Sequence, residues 1–144
     1  MARITKYSGA EMTGVWNGVI FTGLGPDTAY SVEQAEDAFT QQIGIDGESV
    51  RVRNKNDSGS ITVTLMRSSS SNQFLSAFHL ADRATGAGVG PFLLQDQNGT
   101  HIFEASRCWI RKFPNVEFGR EGGTVEWIFD TNELIEFIGA NQEL

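Results

Sequence analysis

The chain has 144 residues, 40% of them hydrophobic, with 18 acidic against 11 basic side chains and a net charge of −7. No apolar run approaches the ~20 residues of a membrane-spanning helix, the hydrophobic content is too high for a disordered chain, and the acidic balance argues against a nucleic-acid-binding surface. The single cysteine, Cys108, permits no internal disulfide and residues 1–14 carry no apolar leader core, so a reducing compartment is expected.

Period-2 alternation runs through most of the chain. A first strand is expected near 13–22, with Val15, Val19 and Phe21 on one face and Trp16 and Ile20 on the other. Leu24-Gly25-Pro26-Asp27 reads as a turn, because proline presets φ and glycine accepts positive φ. A long extended segment, YSVEQAEDAFTQQIG, follows, in which Glu33, Ala35, Asp37 and Phe39 share one face. It ends at Asp46-Gly47, a strong hairpin signal, and returns as ESVRVRN, with Val50 and Val52 opposite Arg51 and Arg53. Asn56-Asp57-Ser58-Gly59 turns the chain into SITVTLM, where Ile61, Val63 and Leu65 line a core face. Four strands in succession favour an antiparallel meander.

The serine run then starts a helix near 71–83, with one of Ser69 to Ser71 capping its free N–H groups. Phe74, Leu75, Ala77, Phe78 and Ala81 form its apolar stripe, Leu80 falls outside it, and Ala84-Thr85-Gly86 closes it. The glycine-rich TGAGVG leads into PFLLQD, and Asn98-Gly99 makes a hairpin into HIFEASRCWIRKF. Two strands remain, TVEWIFD with Val125, Trp127 and Phe129 aligned, and ELIEFIG with apolar residues on both faces. A strand of the second kind is either central or pressed against a partner. Seven or eight strands and one flanking helix make a mainly β, antiparallel sandwich or barrel, expected as a single domain over 1–144.

Chemistry is conspicuous by its absence. His79 and His101 sit in no metal motif, Cys108 has no thiolate partner, and no G-x-S-x-G elbow precedes a helix. Gly86–Gly90 has the wrong context for a phosphate loop, and residues 54–65 lack the closing glutamate of a calcium loop. No catalytic, cofactor-binding or metal-binding residue is expected. Charge is more informative. Residues 27–48 carry six acids and no base, residues 49–112 eight bases against four acids, and residues 113–144 seven acids against one base. Two acidic blocks flanking a basic middle suit solvated faces or complementary contacts between copies of one chain.

Taken in order, VEQAEDAFTQQIGIDGESVRVRNKNDSGSITVTL, SSSNQFLSAF, ADRATGAGVGPFLLQDQNG and CWIRKFPNVEFGREGGTVEWIF make the chain resemble, over roughly residues 13–132, the small tail-tube (inner tube) proteins of contractile-tailed bacteriophages. The resemblance implies a fold shared with the haemolysin-coregulated protein of type VI secretion, two packed sheets with a flanking helix. It implies hexameric rings stacked into a hollow tube inside a contractile sheath, a conduit for DNA that passes without specific binding. The implied partners are copies of the chain itself and the tail sheath, tape measure, baseplate and tail terminator proteins. The implied place is the virion tail, after assembly in the host cytoplasm, with no membrane anchoring and no enzymatic activity. Within that picture, Ile43, Ile45, Asp46 and Gly47 are the expected inter-ring contact, and Glu33 and Asp37 the expected acidic lumen residues. A type VI-like or other injection-apparatus tube is the alternative within the class, and a monomeric ligand-binding β-barrel the alternative outside it.

Overall fold

A computed structural model of the chain describes residues 4, 12–97 and 99–140. Asn98, half of the expected Asn98-Gly99 turn, lies outside the described residues. The strand expected over 13–22 is two, β1 (Met12–Trp16) and β2 (Val19–Ile20). Between them Asn17 and Gly18 adopt φ of 52° and 83°, the double left-handed turn whose twist matches a hairpin. The turn resets the alternation, so that Trp16 and Phe21 are buried while Ile20 is exposed.

The extended segment from Tyr30 is also two strands, β3 (Tyr30–Gln34) and β4 (Phe39–Ile43). They are followed by β5 (Ser49–Arg53), β6 (Gly59–Met66), α1 (Ser71–Thr85), β7 (Gly90–Asp96), β8 (Ile102–Ile110), β9 (Thr124–Thr131) and β10 (Ile135–Phe137). The main sheet runs β2-β1-β7-β8-β9-β6-β3, antiparallel throughout, with β10 paired to β8. The antiparallel β architecture with one helix is as expected, but the early strands do not form a meander. β1 lies beside β7 and β3 beside β6, because the β2–β3 connection carries the chain across the sheet. Residues after β2 bond the far end of β6, Gly25 N–H to the Thr64 carbonyl at 2.9 Å and Met66 N–H to the Gly23 carbonyl at 2.7 Å. The two ends of the sheet are thereby tied together, and it curls around its own core.

That core follows the alternation. Ile61, Val63 and Leu65 of β6 meet Phe129, Trp127 and Val125 of β9 in register. Trp16 stacks against Phe78 and Phe129 at 5.2 and 5.1 Å, and its Nε1–H donates to the Cys108 carbonyl at 3.1 Å. Cys108 itself is fully buried. Desolvation first, then the negative Asp130, push its thiol up to about 12.

The helix is turned relative to the expected stripe. Ser71, Leu75 and His79 are buried with Phe78 partly so, whereas Phe74, Ala77 and Ala81 face outward. The serines explain the rotation. The Ser71 hydroxyl accepts from Thr22 N–H at 3.0 Å, and Ser69 Oγ accepts from Ser71 N–H while donating to the Thr22 carbonyl. The run thus ties the helix to the end of β2, and the N-cap position, Ser70, makes no side-chain cap. At the other end Gly86 (φ 75°) closes the helix by donating to the Asp82 carbonyl. Gly88 then packs against Asp82, where a Cβ would lie 2.3 Å from that residue's own Cβ.

Candidate assembly surfaces

β4 and β5 form a two-stranded ribbon outside the main sheet, and all ten of its strand residues are exposed. The ribbon continues β3 and β6 across a kink, with Ala35 N–H bonded to the Ser58 carbonyl at 3.0 Å and Asn54 N–H to the Ala38 carbonyl at 2.8 Å. Residues 35–38 on one leg face 54–58 on the other, and this extra residue is a bulge that re-aims the hairpin. Local polar chemistry fixes the kink. Asn54 Oδ1 accepts from Asn56 N–H, Asn56 Oδ1 from Ser58 N–H, and Asn54 Nδ2 donates to Glu36 Oε2 at 2.6 Å. Asn56-Asp57-Ser58 is therefore turn chemistry, as the sequence suggests. The eleven residues from Ala35 to Ile45 give the arm a reach of at most about 33 Å at ~3.3 Å per residue.

At the tip Gly44 N–H bonds the Glu48 carbonyl at 2.7 Å, Gly47 N–H bonds the Gly44 carbonyl at 3.0 Å, and Asp46 Oδ1 accepts from Glu48 N–H at 3.1 Å. Gly47 sits at φ 88°, the left-handed residue of a five-residue hairpin loop. Ile45 is fully exposed and Ile43 is 68% exposed. On one face of the arm Arg51 stacks on the Phe39 ring at 3.9 Å, leaving Val50 and Val52 on the other. An arm that leaves its apolar residues exposed in this way has the character of an interaction surface.

Further edges are open. Among the described residues β3 has a strand only on its β6 side, and β10 only on its β8 side. β10 keeps the register that β9 has with β8, with Cys108 opposite Thr131 and Glu104 opposite Ile135. It therefore runs on past the start of β6 and presents Ile135 and Phe137 unshielded. The outward face of β3, β6 and β9 is different in kind. It carries Ser31, Glu33, Ser60, Thr62, Thr64, Glu126 and Asp130 around a half-buried Ile128, with Asp130 held bidentately by Arg111 at 2.7 and 2.9 Å. That bond raises the Arg111 guanidinium above its ordinary value.

A cleft of about 870 Å³ opens beneath the 22–29 loop, between Phe21, Tyr30, Leu94, Phe103 and Ile138. The interior of the sheet is filled by Trp16, Phe92 and Phe129, and smaller clefts open on the outward face of β3, β6 and β9. No group of three or more metal-donor side chains occurs among the described residues.

The family model described as bacteriophage PhiTE tail tube protein matches residues 9–139. The chain belongs to this tail tube family. A curated relative, structural protein ORF10 of Pseudomonas phage KPP10, is 30% identical over 125 residues, covering 85% of this chain and 72% of that protein. In fold the chain is similar to the anti-feeding prophage cap, a tube-terminating cap, with a TM-score of 0.67 at 8% identity over 95% of this chain and 94% of the other.

A tail tube protein is a structural part of the virion that assembles with other tail proteins, which makes surfaces its functional sites. The four expected contact residues, Ile43, Ile45, Asp46 and Gly47, come together at the hairpin tip. Glu33 and Asp37 do not stay together, since Glu33 projects from β3 and Asp37 lies in the kink, where the alternation is interrupted. Glu126 and Asp130, by contrast, join Glu33 on one sheet face. Their signal was present in TVEWIFD, as the positions alternating with Val125, Trp127 and Phe129.

Proposed function

We propose that the chain works as one tube domain, in hexameric rings that stack into the hollow inner tube of a contractile tail, and that its function requires no catalysis. The observation that carries this reading is the exposed β4–β5 arm with its apolar tip on a member of a tail tube family. Lateral contacts would use the open edges of β3 and β10, since pairing edges around a ring removes the free strand borders that otherwise aggregate. Axial contacts would use the hairpin tip, because head-to-tail surfaces propagate where a closed pair would stop. The sheath, tape measure, baseplate and tail terminator proteins are the expected partners, with assembly in the host cytoplasm.

The Ser/Thr-rich face with Glu33 and Glu126, on which Arg111 pairs with Asp130, is our candidate for the lumen wall. DNA carries one phosphate per ~1.7 Å of axis, and a wall of like sign repels it within a Debye length of ~8 Å. Such a wall lets the genome slide, whereas a basic one repeated over many rings would retain it by avidity. Size-exclusion chromatography with negative-stain microscopy tests the assembly. Rings or rods are expected, and removal of residues 42–48 should leave folded subunits that do not stack. A persistent 15.8 kDa monomer under all conditions would favour the ligand-binding alternative.

A further inference from the structure

The end of the molecule opposite the hairpin carries a second apolar feature that the fold leaves without a use. β6 starts at Gly59, where the arm departs, and ends at Met66, opposite Thr124, the first residue of β9. The loop 111–123 enters β9 at that far end, eight residues or about 26 Å along the strand at ~3.3 Å per residue. Phe118 on this loop is 85% exposed, and Val116 and Met66 are exposed with it. Yet the loop is firmly held. Arg67 donates through its guanidinium to the carbonyls of Glu117 and Glu121, and its backbone N–H bonds the Gly123 carbonyl at 2.9 Å. The same guanidinium lies 5.1 Å from the Phe118 ring centre. At its start Phe113 packs edge-on against His79 at 4.6 Å and near Trp127 at 6.1 Å. An aromatic side chain held outward on an anchored loop is how binding hot spots are presented.

We propose that this loop is the seat that receives the hairpin tip of the next copy, with Phe118, Val116 and Met66 covering Ile43 and Ile45. The proposal rests on the axial role of the hairpin given above and names its receptor. Charge agrees with it. The tip carries Asp46 and Glu48 and no base, while the loop and its anchor carry Lys112, Arg120 and Arg67 against Glu117 and Glu121, a net of +1 facing −2. Opposite signs at the two ends of one subunit attract head to tail and repel head to head, which gives the stack its polarity.

Disulfide trapping tests the contact, since Cys108 is fully buried and leaves engineered thiols as the reactive ones. In assembled tubes of the full chain carrying Ile45→Cys and Phe118→Cys together, mild oxidation should produce a ladder of covalent multimers on a non-reducing gel. Mixing the two single variants should give dimers, and each single variant alone should give none. Glu48→Cys with Val116→Cys serves as the second pair where the first does not polymerise. Tubes that form normally, depend on residues 42–48 and yield no ladder with either pair would overturn the seat while leaving the hairpin's axial role intact. Tubes that form without residues 42–48 would overturn both.

Discussion

Truncating both isoleucines at the hairpin tip, Ile43→Ala with Ile45→Ala, separates the energetics of assembly from those of folding. Each substitution removes three carbons from a side chain that the free subunit leaves in water, Ile45 fully and Ile43 by 68%. At ~0.8 kcal/mol per buried CH₂ the pair loses about 5 kcal/mol of burial in a fully covered contact. Ordering two side chains on binding costs roughly 0.5–1.5 kcal/mol each, so a net loss of about 3 kcal/mol per subunit contact is the better figure. At 1.4 kcal/mol per tenfold, the critical concentration for growth by single subunits should rise about 100-fold, and stacking of preformed rings, which changes six contacts at once, should be lost. The free subunit should be unmoved, because exposed substitutions of this kind fall within about 0.5 kcal/mol. Pelleting across a dilution series, with negative-stain images at each concentration, reads the first quantity, and thermal unfolding of the unassembled subunit reads the second. A critical concentration within threefold of the parent would refute the contact. A large fall in melting temperature would refute the premise that the arm stands apart from the core.

Replacing Gly59 with Ala should destabilise the subunit by about 1–3 kcal/mol in urea unfolding, because the new Cβ would lie 2.6 Å from Leu134 Cδ2 and 2.7 Å from the Glu33 carbonyl. Arg67→Ala should free the 111–123 loop, seen as faster amide exchange around Glu117–Glu121, with a cost of about 1 kcal/mol for the lost charged hydrogen bonds. Alkaline pH should unfold the protein earlier than its charge alone suggests. Burial pushes both Cys108 and Tyr30 up to about 12, from 9.0 and 10.0. The unfolded chain therefore releases protons that the folded one keeps, and stability intact below pH 9 falls between there and 12. Cys108→Ala combined with Tyr30→Phe should flatten that fall in pH-dependent melting curves. Reversing Glu33 and Glu126 to Lys should slow DNA ejection from assembled particles while tube assembly stays normal; unchanged ejection kinetics would remove that face from the lumen.

Much of this fold was legible from alternation alone, and the failures have specific causes. Ile61, Val63, Leu65, Val125, Trp127 and Phe129 announce a two-strand core because every second residue is apolar over a long run. Asn17-Gly18 also carries a turn signal, but the expected strand over 13–22 runs through it because the surrounding residues alternate, and only tertiary pairing decides which signal prevails. The kink at 35–38 offers no glycine or proline to mark it; it exists because the return leg brings Asn54 and Asn56, whose side chains bond their own backbone. The helix stripe was misjudged for a similar reason. Hydrophobic spacing favours Phe74, but Ser71 is anchored to Thr22 by two polar contacts, and that anchor sets the rotation. Of the surface residues, the hairpin tip could be read because two isoleucines at a turn violate the ordinary polarity of turns. Phe118 could not, since a single aromatic in an irregular stretch carries no period, and its exposure depends on Arg67, 51 positions earlier in the chain.

These errors share one consequence for function. Each misplaced apolar residue, Phe74, Ile20 and Phe118 among them, was expected inside or left unassigned and stands outside. A monomeric protein of this size would gain stability by moving such groups inward at ~25 cal/mol per Å². That gain is forgone by fixed polar anchors, the Ser69–Ser71 ties to Thr22 and the Arg67 grip on the 111–123 loop, which hold apolar groups at the surface. Spending local hydrogen bonds to keep hydrophobic side chains in water makes physical sense only where the water is later displaced. For a member of a tail tube family, the assembly proposed above makes the neighbouring copy the agent of that displacement.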